Sequence, residues 1–314
     1  MLGLLTWVSA QDLPKVHAGL EATGTFSWIT FAIDHYGIDT ELGFDLETVI
    51  YATKQAKELA LRAGESDVVV DDFLGPVLWK QQGIAVSGVY PYSLATGGVV
   101  VAEDSGINSI ADLKGKKIMA SSLRDKSLLI LRALAVAHYG FDPQEDSEIL
   151  EGAPPLMIEL INKGEVDAVI PFWHIVARLT AGGQNRELVA ATAMLDELGL
   201  SSDLPILMLA ARDEMDRELL GKFIMAMNTA IERMQEDEGF WQLILDNELY
   251  SLPDPSQFPN VVARWQVGIP SVWNQDVVDG LVNVVETMVE LAGAEVVGVE
   301  AVDPAAYSLE FATP

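Results

Sequence analysis

Ser121-Ser122-Leu123-Arg124-Asp125-Lys126-Ser127 gathers three hydroxyls, two cations and a carboxylate between an apolar strand and an apolar helix. At such a junction, free backbone N–H groups and the helix dipole favour an anion, so Ser121, Ser122 and Ser127 would donate to a sulfonate, carboxylate or phosphate. The same side chains serve equally well as helix caps. Arg124 and Lys126 would add positive charge, although Lys126 has Asp125 and Asp72 as alternative partners.

Trp28, Phe73, Phe172 and Trp173 are the aromatic candidates for stacking on a flat or alkyl part of a ligand; at such spacing aromatics also build cores. Asp72 follows a strand and would suit an amine or hydroxyl, or would cap its own loop. Thr23, Thr25 and Ser27 in the first loop, and Tyr92 with Ser93 further on, complete a candidate polar lining, where Thr and Ser otherwise form turns. Among the four histidines, only His174 is expected at a strand end beside aromatics. His17, His35 and His138 lack ligand spacing, so no metal site is expected. Phosphate-binding, nucleophile-elbow and dinucleotide motifs are absent, and no cofactor is expected.

The 314 residues include 47 Asp plus Glu against 19 Lys plus Arg, giving a formal net charge of −28. Such a surface repels phosphate backbones and anionic headgroups, which argues against nucleic-acid or peripheral-membrane partners. The densest basic stretch, Lys114, Lys116 and Lys117, reads as a solvated turn. With half the residues hydrophobic the chain can bury a sizeable core, and its length suits two lobes. The absence of Cys excludes disulfides and thiol chemistry. Met1 to Val8 is apolar and Val8-Ser9-Ala10 suits signal peptidase, so residues 1–12 read either as a signal-peptide remnant or as a first strand. The uncharged run Gln81 to Ala102 is interrupted by Gly88, Pro91, Gly97 and Gly98, which fits two strands rather than a membrane span.

Positioning these residues requires alternating strands and helices. Apolar periodicity predicts strands at Val16–Leu20, Phe44–Tyr51, Val68–Val70, Ile118–Ala120 and Ala168–Ile170. It predicts helices at Trp28–Tyr36, Gln55–Arg62, Lys126–Tyr139, Pro155–Asn162 and Gln275–Leu291, with Glu214–Leu249 mostly helical. This is an α/β pattern. Within it, Arg62-Ala63-Gly64-Glu65-Ser66-Asp67-Val68-Val69-Val70 echoes Asn162-Lys163-Gly164-Glu165-Val166-Asp167-Ala168-Val169-Ile170. Each copy reads as helix, glycine stop, turn and short buried strand. Ligands of α/β sheets bind at carboxyl ends of strands, which would bring Asp71, Asp72 and Phe73 to face Phe172, Trp173 and His174. Good turn chemistry alone would also produce the echo.

The order of segments from Lys15 onward resembles the periplasmic substrate-binding proteins of ABC importers, in the nitrate/sulfonate/taurine group that includes thiamine-precursor binders. The resemblance rests on Ala22-Thr23-Gly24-Thr25, the Leu61–Asp67 turn, the run Asp104 to Lys117, Asp125-Lys126-Ser127, Ala153-Pro154-Pro155 and Phe172 to Leu179. It implies a two-lobed type II binding fold, each lobe a mixed sheet flanked by helices with the ligand cleft between them. Lobe 1 would take 13–96 plus 206–314 and lobe 2 would take 97–205, with crossings near Gly97–Val101 and Leu204–Leu209. It further implies a periplasmic, usually monomeric protein that delivers a small polar ligand to an inner-membrane permease. Many members carry a lipid-anchored Cys; this chain has none, so a freely diffusing protein is expected. The competing expectation is an enzyme on the same scaffold, with Asp72 and His174 as its acid–base pair.

Overall fold

A computed structural model describes residues 13–313. The signal-like segment around Val8-Ser9-Ala10 lies outside them. In chain order the elements are β1 (Lys15–Glu21), α1 (Phe26–Tyr36), α2 (Ile38–Leu42), β2 (Asp45–Tyr51), α3 (Lys54–Ala63), β3 (Val68–Asp72), α4 (Leu74–Gln81), β4 (Val86–Ser93) and β5 (Gly98–Ala102). There follow β6 (Lys117–Ala120), α5 (Lys126–Leu134), α6 (Pro143–Asp146), β7 (Glu148–Glu151), α7 (Pro154–Lys163), β8 (Ala168–Ile170), α8 (Trp173–Thr180), β9 (Asn185–Ala190) and α9 (Ala191–Glu197). The chain ends with β10 (Leu207–Arg212), α10 (Arg217–Glu236), α11 (Phe240–Asp246), α12 (Phe258–Val267), α13 (Gln275–Ala292) and α14 (Ala294–Val297).

Two five-stranded mixed sheets organise these elements, in strand orders β2-β1-β3-β10-β4 and β7-β6-β8-β5-β9. By packing, residues up to Val70 with Ala210–Tyr250 form one compact unit, and Asp71–Leu209 with Ser251 onward form another. This division does not follow the sheets, since β4 belongs to the first sheet but to the second unit.

The inner strands of the second sheet, β6, β8 and β5, are buried on both faces. β6 runs parallel to β7 and β8, while β5 runs antiparallel to β8 and β9. Alternation sends Val99, Val101, Ile118, Ala120, Ala168 and Ile170 into one apolar cluster, and Val100, Met119 and Val169 into another. A strand covered on both sides has no solvent face, which is why these segments read as unbroken apolar runs. By contrast β2, at an edge of the first sheet, leaves Ile50 68% exposed.

The sequence echo is a structural repeat with an offset of one hundred residues. β1-α1-β2-α3-β3 reappears as β6-α5-β7-α7-β8, with β1 and β6 each lying centrally between their two parallel neighbours. α3 and α7 stop at Gly64 (φ 80°) and Gly164 (φ 69°), left-handed positions that glycine tolerates without a Cβ clash. Glu65 N–H then reaches back to the Ala60 carbonyl and Glu165 N–H to that of Leu160, both at 2.9 Å. The following aspartates grip the neighbouring strand by both backbone groups. Asp67 N–H donates to His17 O at 2.7 Å and its Oδ2 accepts from His17 N–H at 2.8 Å. Asp167 does the same to Lys117, at 2.8 Å in each direction.

Several expectations need correction or refinement. The helix from Lys126 is α-helical only to Leu134 and continues as one π turn, Ala135–Tyr139, before Gly140. Glu214–Leu249 is mostly helical as expected, in two helices, α10 and α11, separated around Asp237–Gly239. The two strands expected in Gln81–Ala102 are present as β4 and β5, which belong to different sheets. His174 is not at a strand end; it is the second residue of α8, because Pro171 and Phe172 already form the whole connection from β8. Among the described residues no helix is long and apolar enough to cross a membrane.

Candidate functional site

In the first unit, α1 starts at Phe26 after the loop carrying half-buried Thr23 and buried Thr25. Thr25 occupies the N-cap without a capping side-chain bond. Trp28 is fully buried; its Nε1 donates to Leu249 O at 3.3 Å, and its ring meets Trp241 and Tyr250 edge-on. Lys57, which sequence reasoning did not single out, is 95% buried. Its ammonium donates to Val70 O at 2.5 Å and lies 3.8 Å from the Glu21 carboxylate. The readable signal was a lysine on the buried side of amphipathic α3.

In the second unit, the end of β3 presents two buried carboxylates. Asp71 Oδ1 accepts from Asp72 N–H at 2.7 Å, and Asp72 Oδ1 accepts from Leu74 and Gly75 N–H at 3.1 and 3.3 Å. Asp72 therefore caps α4, the local role of a carboxylate at a helix start. Phe73 is fully buried, donating its N–H to Ile206 O and accepting at its carbonyl from the Tyr307 hydroxyl at 2.7 Å. Burial, with the nearby Asp72 charge second, raises the Tyr307 phenol far above its ordinary range, so it stays a donor. Nothing local in the sequence links positions 73 and 307. Buried Tyr92 and Ser93 end β4, where Ser93 Oγ accepts from Ala95 N–H at 3.0 Å.

The junction of β6 and α5 differs from an open anion cradle. Asp125 Oδ1 accepts from Ser127 and Leu128 N–H at 2.9 and 3.4 Å, and Ser121 Oγ donates to Asp125 Oδ2 at 2.6 Å. Ser122 Oγ accepts from Arg124 N–H at 3.2 Å. The helix start is thus capped from within the chain, the capping alternative of the sequence reading, with Asp125 rather than a serine as the cap. What remains is Lys126, 96% buried, whose ammonium lies 5.6 Å from the Phe172 ring centroid. Phe172 is half-buried on the β8–α8 connection, with the His174 ring 5.9 Å away; His174 also contacts the Trp173 ring edge-on. Trp173 and His174 are themselves buried. Gly97 passes so closely that a Cβ there would lie 2.1 Å from Pro171 O. A side chain at Gly97 would displace the connection that carries Phe172.

Two groups of the expected residues are therefore assembled locally. Asp72 and Phe73 gather with Tyr307 at the end of β3, while Ser121, Asp125, Lys126 and Phe172 gather at the ends of β6 and β8. No cluster of three or more His, Asp or Glu capable of holding a metal occurs among the described residues.

The sequence profile of the family described as NMT1/THI5 like matches residues 40–238. The chain belongs to the NMT1/THI5-like family. The fold of this NMT1/THI5-like chain is shared with the alkanesulfonate-binding protein SsuA from Xanthomonas axonopodis pv. citri bound to MOPS: TM-score 0.71, 18% identity, 89% of this chain and 93% of that one covered. The periplasmic aliphatic sulphonate binding protein SsuA from Escherichia coli gives TM-score 0.71 and 18% identity over 96% of each chain. The periplasmic nitrate-binding protein NrtA from Synechocystis PCC 6803 gives TM-score 0.65 and 13% identity, covering 84% of this chain and 71% of that one. At these identities the likeness carries the fold. No curated protein matches the NMT1/THI5-like chain in sequence.

Proposed function

We propose that this protein is the solute-binding subunit of an ABC importer, capturing a small polar organic ligand and delivering it to a membrane permease. The observation that carries the reading is the duplicated βαβαβ frame, one copy per sheet, in a chain of the NMT1/THI5-like family. Each copy brings a strand end and a helix start together, the place where α/β sheets take ligands. The structurally similar alkanesulfonate-binding SsuA and nitrate-binding NrtA point to the same class of work.

The lobes would be 13–96 plus 206–314 and 97–205. The strands support this assignment: the chain leaves the first sheet after β4, builds β5–β9 in the second, and returns at β10. The ligand would draw on Thr23, Thr25, Trp28, Asp72, Phe73, Tyr92, Ser93, Ser121, Ser122, Asp125, Lys126, Phe172, Trp173 and His174. The protein would work as a periplasmic monomer without lipid anchor, metal or catalysis. An acid–base pair of Asp72 and His174 is not favoured, because Asp72 Oδ1 is engaged at the start of α4.

A ligand that binds only the folded protein stabilises it by mass action. Thermal-shift measurements of stripped protein against sulfonates, carboxylates, amines and heterocycles are expected to single out one class, with small-angle scattering showing compaction in its presence. Turnover without stabilisation would instead indicate an enzyme.

A further inference from the structure

We infer that Arg264 and Glu187 form an ionic latch on the link between the two sheets, and that this latch sets how freely the link bends. The inference goes beyond the solute-binding reading and holds whichever ligand is bound. Residues 94–97 are the whole connection from β4, at an edge of the first sheet, to β5, inside the second. Where two lobes move, a few residues of this kind absorb the change in φ and ψ.

A link left free to bend would give its backbone groups to water, but Ala95, Thr96 and Gly97 are buried and the backbone is held. Leu94 N–H donates to Gly268 O at 2.7 Å, at the end of α12. One turn earlier on that helix, Arg264 Nη2 donates to Thr96 O at 3.3 Å. Gly97 O accepts from Ala191 N–H at 2.9 Å, at the start of α9. The approach of α12 depends on Gly268, where a Cβ would lie 2.8 Å from that of Ala95.

Glu187 of β9 aims the guanidinium. Arg264 Nη2 lies 3.3 Å from Glu187 Oε1 and Nη1 lies 3.5 Å from Oε2, so Nη2 bridges the carboxylate and the Thr96 carbonyl. The segment before α12 is fastened as well, since Arg178 of α8 donates to Ser251 Oγ at 3.2 Å. Residues 94–97, α8, β9 and α12 belong to one compact unit. The grip on the link therefore comes from the side of the second sheet, although the sequence reading assigned α12 to lobe 1.

The Arg264 and Glu187 side chains are 32% and 24% exposed, so salt screens the pair and the stiffness of the link depends on ionic strength. The effect extends to the candidate site. Gly97 runs against Pro171 O, next to Phe172, and Arg264 is thus a positioning residue that acts on Phe172 through the link.

The test uses the full chain without ligand, with Arg264→Met, Arg264→Lys and Glu187→Gln variants. Because the chain has no Cys, spin labels at Leu59→Cys and Glu159→Cys, exposed equivalent positions on α3 and α7, report a single distance between the units by pulsed electron resonance. Arg264→Met is expected to broaden the distance distribution and to speed amide exchange across 93–98 roughly tenfold, the worth of one charge-assisted hydrogen bond at a partly exposed site. Arg264→Lys should recover part of the protection and Glu187→Gln should fall between. Raising NaCl from about 0.05 to about 1 M should speed exchange across 93–98 in the wild type and leave it unchanged in Arg264→Met. Glu187→Gln and the wild-type salt series make the same comparison with the guanidinium kept. A lowered melting temperature with an unbroadened distribution would reduce the pair to a structural contact and overturn the inference. Unchanged exchange across 93–98 in Arg264→Met, or equal salt dependence in that variant and the wild type, would overturn it too.

Discussion

The first and second copies of the repeat share a backbone and differ in where they carry charge. Both grip the central strand with an aspartate after a left-handed glycine. In the first copy, that aspartate is also the centre of an ionic cluster: Asp67 meets Arg212 at 2.8 Å and His17 Nδ1 at 3.0 Å. In the second, Asp167 is exposed and its Oδ2 serves the Lys117 backbone. At the helix starts the pattern inverts. The helix start of the first copy is Thr25-Phe26, without a capping side chain, while that of the second is Asp125-Lys126, a cap followed by a buried cation. The repeat supplies geometry twice; the buried cation stands at the helix start in the second copy, whereas in the first it is Lys57, set on α3 beside Glu21 and Val70 at the ends of β1 and β3.

Equivalent substitutions in the two copies test this directly. Positions 28 and 128 are both fully buried, so Trp28→Ala and Leu128→Ala should each destabilise strongly, by about 3–5 and about 2–5 kcal/mol in urea unfolding. A small loss at either position would break the equivalence of the two helices. Asp67→Ala should cost about 2 kcal/mol, because it takes one of two carboxylates from Arg212, which keeps Glu214, and leaves the His17 N–H unpaired, whereas Asp167→Ala should cost about 1 kcal/mol. Equal losses would mean that the ionic cluster adds nothing to the backbone grip.

The same contrast has a pH signature. Burial alone would raise the Asp67 carboxyl, but the His17 backbone N–H, the Arg212 guanidinium and the His17 ring together hold it below its ordinary value. Its stabilisation is present above the unfolded carboxylate pKa of about 3.9 and is lost as pH falls through the depressed folded value. The stability gap between wild type and Asp67→Asn should therefore be full at neutral pH and close below about pH 4. A gap independent of pH would contradict the ionic assignment. The smallest effects are expected at the glycine stops: Gly164→Ala should cost about 1 kcal/mol and Gly64→Ala somewhat more, because a Cβ there would lie 2.9 Å from the Arg212 guanidinium while Gly164 faces open space.

Much of this frame is legible in the sequence. Val68–Val70 and Ala168–Ile170 are short apolar runs between turn residues, and Gly64 and Gly164 mark helix ends, so local pattern suffices for the repeat. Local pattern could not show that Ser121 and Asp125 satisfy each other, because a capped and an open helix start share one composition. His174 was misplaced since Pro171-Phe172 leaves room for only a two-residue connection before α8. Tyr307 on Phe73 and Trp28 under Leu249 are contacts between distant segments and leave no trace in spacing.

The claim that a ligand engages the helix start of the second copy more than that of the first is tested most directly by hydrogen–deuterium exchange, with and without the ligand selected by the thermal-shift panel. Protection is expected to be greatest in peptides covering Ser121–Leu128 and Pro171–Trp173, and weaker over the equivalent Glu21–Trp28. Protection of Glu21–Trp28 with no change across Ser121–Leu128 would contradict it.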